Sequence, residues 1–316
     1  MHNSKTYINK TESVAISWLR TSSVIMIVLC HILQGMDNNW AWVFNIGVQI
    51  FFILSGYLYG KKTIDDNGKW YIRRAFRILT PFYLYLLFAL SVIQIWKMEL
   101  IPYPKIITYL FNLQGLLGGV EGLNHLWFLT WIVGCYIITP MIQIIIDKRY
   151  IYLLGCIILI LMVLSIFHGY LLNVALYVVS YSVSRLNKIL SSILFTTLII
   201  ISIIVLSTFT WERLLIGGVY CKLFHLVISA TIVVGSLQFF HKKGKKRILV
   251  PQSVNLIDRY SYEIYLCHHF IILGPVSLLH ITESITINIL LIISLTILQA
   301  FLLKLITSQI INVLHK

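Results

Sequence analysis

Residues Ser17–His31, SWLRTSSVIMIVLCH, decide how the chain is read. The run is apolar enough to enter a membrane, yet it opens on Arg20 and carries His31 eleven residues later. An α-helix turns about 100° per residue, so eleven residues come to about 1100°, roughly 20° past three full turns. Arg20 and His31 therefore share a face, about 16 Å apart along the axis. Ser23, Ile27 and Gln34 fall on or near the same stripe. Polar groups at membrane depth normally face a bundle interior or a watery cavity and mark functional paths. The plainer alternative is that Arg20 snorkels to the headgroups and His31 bonds a neighbouring helix.

Composition widens this reading to the whole chain. Of 316 residues, 59% are hydrophobic and 11% charged, and the mean hydropathy is +0.87. A soluble domain is about 45–50% apolar and about 25% charged, so a soluble fold is excluded. A membrane helix needs about 20 apolar residues, which leaves room for about ten transmembrane helices. The predicted spans are 14–34, 41–60, 78–96, 125–146, 150–167, 169–184, 188–208, 220–240, 262–279 and 286–308. Residues 105–119, KIITYLFNLQGLLGG, are too short and Gly-rich for a span and read as a re-entrant or interfacial helix. The expected fold class is an all-α polytopic membrane protein, ten helices in one bundle. It is read as one domain over residues 1–316, with a short tail at 1–13 and no soluble second domain.

With the N-terminus inside and the spans alternating, 21 of the 25 Lys and Arg fall on the inner side. Only Lys97, Lys105, Arg213 and Lys222 fall outside. This is a strong positive-inside bias, and it places both termini in the cytoplasm. The net charge of +14 is thus orienting charge rather than a nucleic-acid surface. No small-residue cleavage site follows the first apolar run, which reads as a retained helix. The cysteines Cys30, Cys135, Cys156, Cys221 and Cys267 have neither zinc-site nor disulfide spacing, so no metal is expected.

Further polar residues recur inside the apolar runs. In WVFNIGVQIFFILSGYLYG, Asn45 and Gln49 lie one turn apart, and the small pair Ser55-Gly56 follows about two turns on. Small residues there also serve plain helix packing. Arg73, Arg74 and Arg77 enter the third span, with Arg73 and Arg77 on one face. Paired guanidiniums suit bidentate phosphate binding, though topogenic charge and anionic-lipid contact explain them too. GLNHLWFL puts His125 and Trp127 at the outer end of a span, and SYEIYLCHHFII carries Tyr265, His268 and His269 into another. Each of these is, taken alone, also an ordinary packing or interfacial residue.

Taken together, these motifs resemble the acyltransferase-3 family of bacterial integral-membrane acyltransferases. The Arg–ten residues–His pattern is met by Arg20 and His31. FFxxSGxL is met by Phe51, Phe52, Ser55, Gly56 and Leu58. The Arg-rich entry to the third span is met by Arg73, Arg74, Arg77 and Pro81. HLWFL is met by His125 to Leu129, and SYxIYLxH by Ser261 to His268. The resemblance implies about ten spans in the bacterial cytoplasmic membrane. It also implies transfer of an acyl group, usually acetyl from acetyl-CoA, to a surface carbohydrate. Some relatives carry a fused extracytoplasmic domain that completes transfer. Its absence here points to direct transfer, or to separate polysaccharide-assembly partners.

The expected mechanism follows from these residues. Arg73, Arg74 and Arg77, with Arg20 at the donor side, hold the phosphates of acyl-CoA. The pantetheine arm passes Ser55-Gly56 toward Gln49. His31 acts as general base on a sugar hydroxyl or first accepts the acyl group, roles that neutral imidazole suits. His125, Trp127 and Asn45 line the acceptor side, with Tyr265 and His268 in support or as a second catalytic group. The rival reading is a transporter or flippase for a lipid-linked saccharide. Transporters often carry internal repeats in matched halves, and this sequence shows none.

Overall fold

A computed structural model of the chain describes residues 10–97, 101–185, 192–216, 218–242 and 250–314. Among these, the elements are helical throughout. In order they are α1 Lys10–Gly35, α2 Trp40–Phe44, α3 Ile46–Gly60, α4 Asn67–Lys97, α5 Tyr103–Leu110 and α6 Gln114–Leu117. A 3-10 turn at Asn124–Leu126 leads into α7 Trp127–Asp147, followed by α8 Ile151–Phe167, α9 Leu171–Arg185 and α10 Ser192–Ser207. The chain ends with α11 Trp211–Leu215, α12 Val219–Lys242, α13 Gln252–Leu273 and α14 Ile285–Leu314.

Six stretches are long and apolar enough to cross a membrane: Lys10–Gly35, Trp40–Gly60, Asn67–Trp96, Asn124–Asp147, Val219–Lys242 and Ile285–Val313. They fit a multi-pass membrane protein. The other expected spans are helical but fall short of that test. Helices α8, α9 and α10 have 17, 15 and 16 residues, and α13 carries Asp258, Arg259 and Glu263. Residues 1–9 of the expected tail, the start of the span at 188–208 and most of the basic run 241–247 lie outside the described residues, while residues 10–13, expected in the tail, belong to α1.

Several boundaries differ from the sequence reading for local reasons. The span expected at 41–60 is interrupted at Asn45, between α2 and α3. The ninth begins ten residues early, at Gln252, and ends at Leu273, because Gly274-Pro275 cannot continue a helix. Instead residues 274–284 form a loop organised by Asn288. Its Nδ2 donates to the carbonyls of Leu279 and Thr282 at 2.8 and 2.9 Å, and its Oδ1 accepts from Thr282 N and Oγ1. Residues 105–119 form two short helices. Gln114 Nε2 ties them to Leu126 O at 2.8 Å, and Gly115 N donates to Thr130 Oγ1 at 2.9 Å.

The described residues form two compact units. The first comprises those of Met1–Ile27, Trp42–Asp65 and Gly134–Asp258; the second comprises those of Val28–Ala41, Asp66–Val133 and Arg259–Lys316. The first unit is centred on α3 and α9. Ser180 Oγ donates to Ile53 O at 2.7 Å, and Ser184 Oγ to Tyr57 O at 3.0 Å. Both numbers advance by four together, so the two helices run parallel. A Cβ at Gly56 would run into the Tyr177 carbonyl, and one at Gly60 into Tyr181 O and Ser184 Oγ. The backbones therefore touch, the usual way membrane helices gain packing where burial from water gives none. Ala15, Leu19, Ile50, Leu54, Val233 and Leu237 fill the space around this seam.

In the second unit α4 packs on α14, and Tyr262 OH donates to Ile78 O at 2.8 Å. Ile32, Ile272, Leu279 and Ile292 form a small core. An ion pair there is half-buried, with the Lys304 side chain 31% exposed. Lys304 Nζ lies 3.0 Å from both oxygens of Glu263, which is 6% exposed, and 2.6 Å from the Arg259 carbonyl.

Candidate functional site

Four imidazoles converge in the second unit. His31 comes from α1, His125 from the 3-10 turn, and His268 and His269 from α13. The His31 ring centroid is 4.6 Å from His269, edge to face, and 5.2 Å from His268. His125 stacks on His269 at 4.5 Å and lies 5.4 Å from His268. Tyr265 sits 5.5 Å from His125 and 5.9 Å from His268. His125, His268 and His269 are buried, and His31 is half-buried.

Backbone carbonyls set the tautomers. A carbonyl only accepts, so the ring nitrogen facing it must carry the proton. His268 Nδ1 faces Ile264 O at 3.1 Å, and His269 Nδ1 faces Gly122 O at 2.9 Å. His125 Nε2 faces Leu266 O at 3.1 Å. In His31, Nδ1 meets Gln34 Oε1 at 3.1 Å. A neutral ring bonded this way keeps its lone pair on the opposite nitrogen, Nε2 of His31, His268 and His269 and Nδ1 of His125. Two of these, His268 Nε2 and His125 Nδ1, are buried without a partner among the described residues.

The turn that carries His125 is held against α13 from both sides. Tyr265 OH donates to the His125 carbonyl in a short bond, while His125 and His269 donate to Leu266 O and Gly122 O. Gly122 has φ +83°, and a Cβ there would meet Gly274 Cα and Pro275 Cδ at 3.0 Å. Only glycine takes that backbone without strain. Phe128 closes the packing, 5.0 Å from the Tyr265 ring.

Most of the residues expected on the donor side lie in other surroundings. Arg73 and Arg77 are exposed on α4, while Arg74 is half-buried with its guanidinium 5.0 Å from the Trp70 ring. Trp127 is half-buried at the start of α7, 6.4 Å from Phe128. In the first unit, Arg20 Nη1 pairs with Asp258 Oδ1 at 3.4 Å, and its neighbour Thr21 Oγ1 donates to Val254 O at 3.0 Å. Asn45 marks the break before α3, Ser55 is half-buried, and Gly56 is pressed on Tyr177. Gln49 is buried, its Oε1 without a partner among the described residues.

Sequence reasoning placed His31, His125, Tyr265 and His268 at the site, and the structure brings their rings together. It left His269 unassigned. The His268-His269 doublet was the available signal, since two adjacent imidazoles in an apolar run are costly unless both are used. Asp258, the partner of Arg20, gave no such signal. Among the described residues no three His, Cys, Asp or Glu side chains are arranged to hold a metal ion.

No curated protein and no solved structure matches the chain. One family model, described as an acyltransferase domain, matches residues 13–305. With that match running over nearly its whole length, the chain belongs to the acyltransferase-3 family and is a membrane acyltransferase.

Proposed function

We propose that this acyltransferase moves an acyl group, most simply acetyl, from cytoplasmic acyl-CoA to a hydroxyl of a surface polysaccharide or its lipid-linked precursor. The observation that carries this is the set of neutral imidazoles around His31, each with one nitrogen committed and one lone pair left. The acceptor O–H gives its proton to His31 Nε2 as the oxygen attacks the thioester carbonyl. The C–S bond then breaks, and the CoA thiolate takes the proton back from His31. Gln34 holds the His31 ring through Nδ1, which leaves the lone pair on Nε2; general-base catalysis of this kind contributes about 10²–10⁴-fold.

The free nitrogens of His125 and His268 suit hydroxyl donors, and Trp127 and Asn45 extend the acceptor side. Tyr265 acts by holding the His125 turn. Arg73, Arg74 and Arg77 take the CoA phosphates, with Arg20 as a further cation on the donor side. Gln49 and Ser55 meet the pantetheine arm, and Gly56 sets how closely α3 and α9 approach. The chain is one functional domain of about ten spans in the bacterial cytoplasmic membrane, both termini inside. The parallel run of α3 and α9 supports this alternation, which needs the second and sixth spans to cross in the same sense. Its partners are the bilayer, the acyl donor, the carbohydrate acceptor and other polysaccharide-assembly proteins rather than nucleic acid.

The test is the O-acetyl content of the host's surface polysaccharide with wild type and with His31→Ala at equal membrane levels. Loss of acetate with polymer length intact is expected. Unchanged acetate sinks the role given to His31, and loss of the polymer itself sinks the acyl-transfer reading.

A further inference from the structure

Resting on the acyl-CoA reading, we infer that Asn173 of α9 and Gln49 of α3 together form the seat for the amide N–H groups of the donor's pantetheine arm. Asn173 is 4% exposed and Gln49 7%, and neither Asn173 Oδ1 nor Gln49 Oε1 has a hydrogen-bond partner among the described residues. The two amides lie on the same seam. Gln49 is seven residues before Gly56 and Asn173 four before Tyr177, so each shares the face on which Gly56 and Tyr177 touch.

Register also puts them at one level. By the Ile53–Ser180 bond, Asn173 is level with residue 46; by the Gly56–Tyr177 contact, it is level with residue 52. These bracket Gln49 by about 4.5 Å on either side at 1.5 Å per residue. The helices touch at the glycines and carry two amide side chains one to two turns before them.

Several neighbouring hydroxyl protons are already committed among the described residues. Tyr57 OH donates to Glu12 at 2.9 Å, Ser180 and Ser184 donate to α3 carbonyls, and the Thr139 and Tyr177 hydroxyls bond each other at 2.7 Å. Carbonyl oxygens left without a donor in apolar surroundings are unfavourable, and a bound group that brings N–H donors satisfies them. Two carbonyl acceptors within a turn of each other, in an apolar seam, fit a slender apolar chain bearing secondary amides. Pantetheine is such a chain, with two N–H donors.

The test compares wild type and Asn173→Leu in detergent with acetyl-CoA, S-acetylpantetheine and S-acetyl-2-mercaptoethanol, which has no amide. KM for the first two rises about tenfold in the variant, the usual loss for one ligand hydrogen bond, with kcat within about twofold. KM for the amide-free thioester does not move. The same change for all three donors, or a change confined to the acceptor's KM, overturns the assignment while leaving acyl-CoA as donor. A wild type that takes acyl groups from no thioester overturns both readings. S-acetylpantetheine methylated on both amide nitrogens tests the wild type directly, whether or not the variant folds. Its KM is expected about tenfold above that of the parent compound, and an equal KM overturns the inference.

Discussion

The α3–α9 seam of the first unit and the imidazole cluster of the second both bury polar groups in apolar surroundings, and they satisfy them differently. Along the seam, the serine hydroxyls give their protons to carbonyls of the facing helix and stitch two backbones that glycine lets touch. In the cluster, three histidines likewise give one proton each to a carbonyl, but a ring has a second nitrogen, which stays free. Hydroxyls used this way build a scaffold, whereas imidazoles used this way keep a base in reserve. Substitutions at the seam's serines and glycines should therefore lower stability, while substitution of His31 should lower turnover and leave the fold standing.

The largest stability effect is expected away from both, at Glu263–Lys304. Glu263 is buried, and Lys304 Nζ also bonds the Arg259 carbonyl and lies 5.1 Å from the Tyr260 ring. Removing one partner of a fully buried pair typically costs about 3–5 kcal/mol; here the lysine is 31% exposed, so the cost of leaving the buried Glu263 unpaired falls toward the lower end of that range. Lys304→Met should thus lower the thermal midpoint in detergent sharply, and Lys304→Met with Glu263→Leu should recover most of it. If the double variant is as unstable as the single, the pair's role is not mutual charge compensation.

Gly56→Val comes next. Its Cβ would meet the Tyr177 backbone, which cannot yield as a flexible side chain can. Overpacking typically costs about 1–3 kcal/mol, enough to reduce the folded fraction recovered from membranes. His31→Ala should leave that fraction unchanged while abolishing transfer. A Gly56→Val protein of normal stability but low activity would blur the scaffold–site contrast at the seam.

How legible this was depends on whether a feature is set by helical period or by a distant partner. The first-span stripe follows from 3.6 residues per turn, and α1 is one helix from Lys10 to Gly35, so pairing Arg20 with His31 needed no tertiary information. The site motifs around His125 and His268 were legible as polar residues in apolar runs. His269 was not assigned because adjacent residues point about 100° apart on a helix, and period alone expects one of the two to face elsewhere. Both are used because α1 and the His125 turn each contribute a ring to the cluster. Asp258 lies 238 residues from Arg20, and no local pattern announces such a partner. Asn173 was unremarkable for the same reason, since only the register of α9 on α3 gives it a role. The end of α13 was misplaced because the apolar run continues through a loop whose polar demands Asn288 meets from the next helix.

A smaller effect separates two roles for Arg20. Its pair with Asp258 is 3.4 Å long, with the Arg20 side chain 35% exposed, so it contributes at most about 1 kcal/mol. Arg20→Ala should therefore cost little stability but weaken acyl-CoA binding, read as a raised KM. The exchange Arg20→Asp with Asp258→Arg restores an ion pair without restoring the cation at position 20. Activity that returns with the exchange would make Arg20 a positioning residue rather than a donor anchor.

The smallest effect is at the start of α4. Asp66 Oδ1 accepts from the Lys69 backbone N–H at 3.0 Å, and Lys69 Nζ lies 3.5 Å from its other oxygen. The Lys69 backbone bond, followed by the Lys69 side chain, holds the Asp66 carboxyl below its ordinary range. A carboxylate whose folded pKa is depressed adds stability above its unfolded value, about 3.9, and loses it as pH falls through the folded pKa. The cap should thus be intact at neutral pH and fail only in acid. Asp66→Asn, which caps comparably, should match wild type at pH 7 and lack the acid-dependent loss. Asp66→Ala should fray the first turn of α4, read as faster amide exchange at Lys69. Because Arg73 and Arg77 follow within about three turns, this fraying tests whether the arginines act from an ordered helix. A KM for acyl-CoA that stays constant while exchange at Lys69 rises would show that they bind phosphate without it.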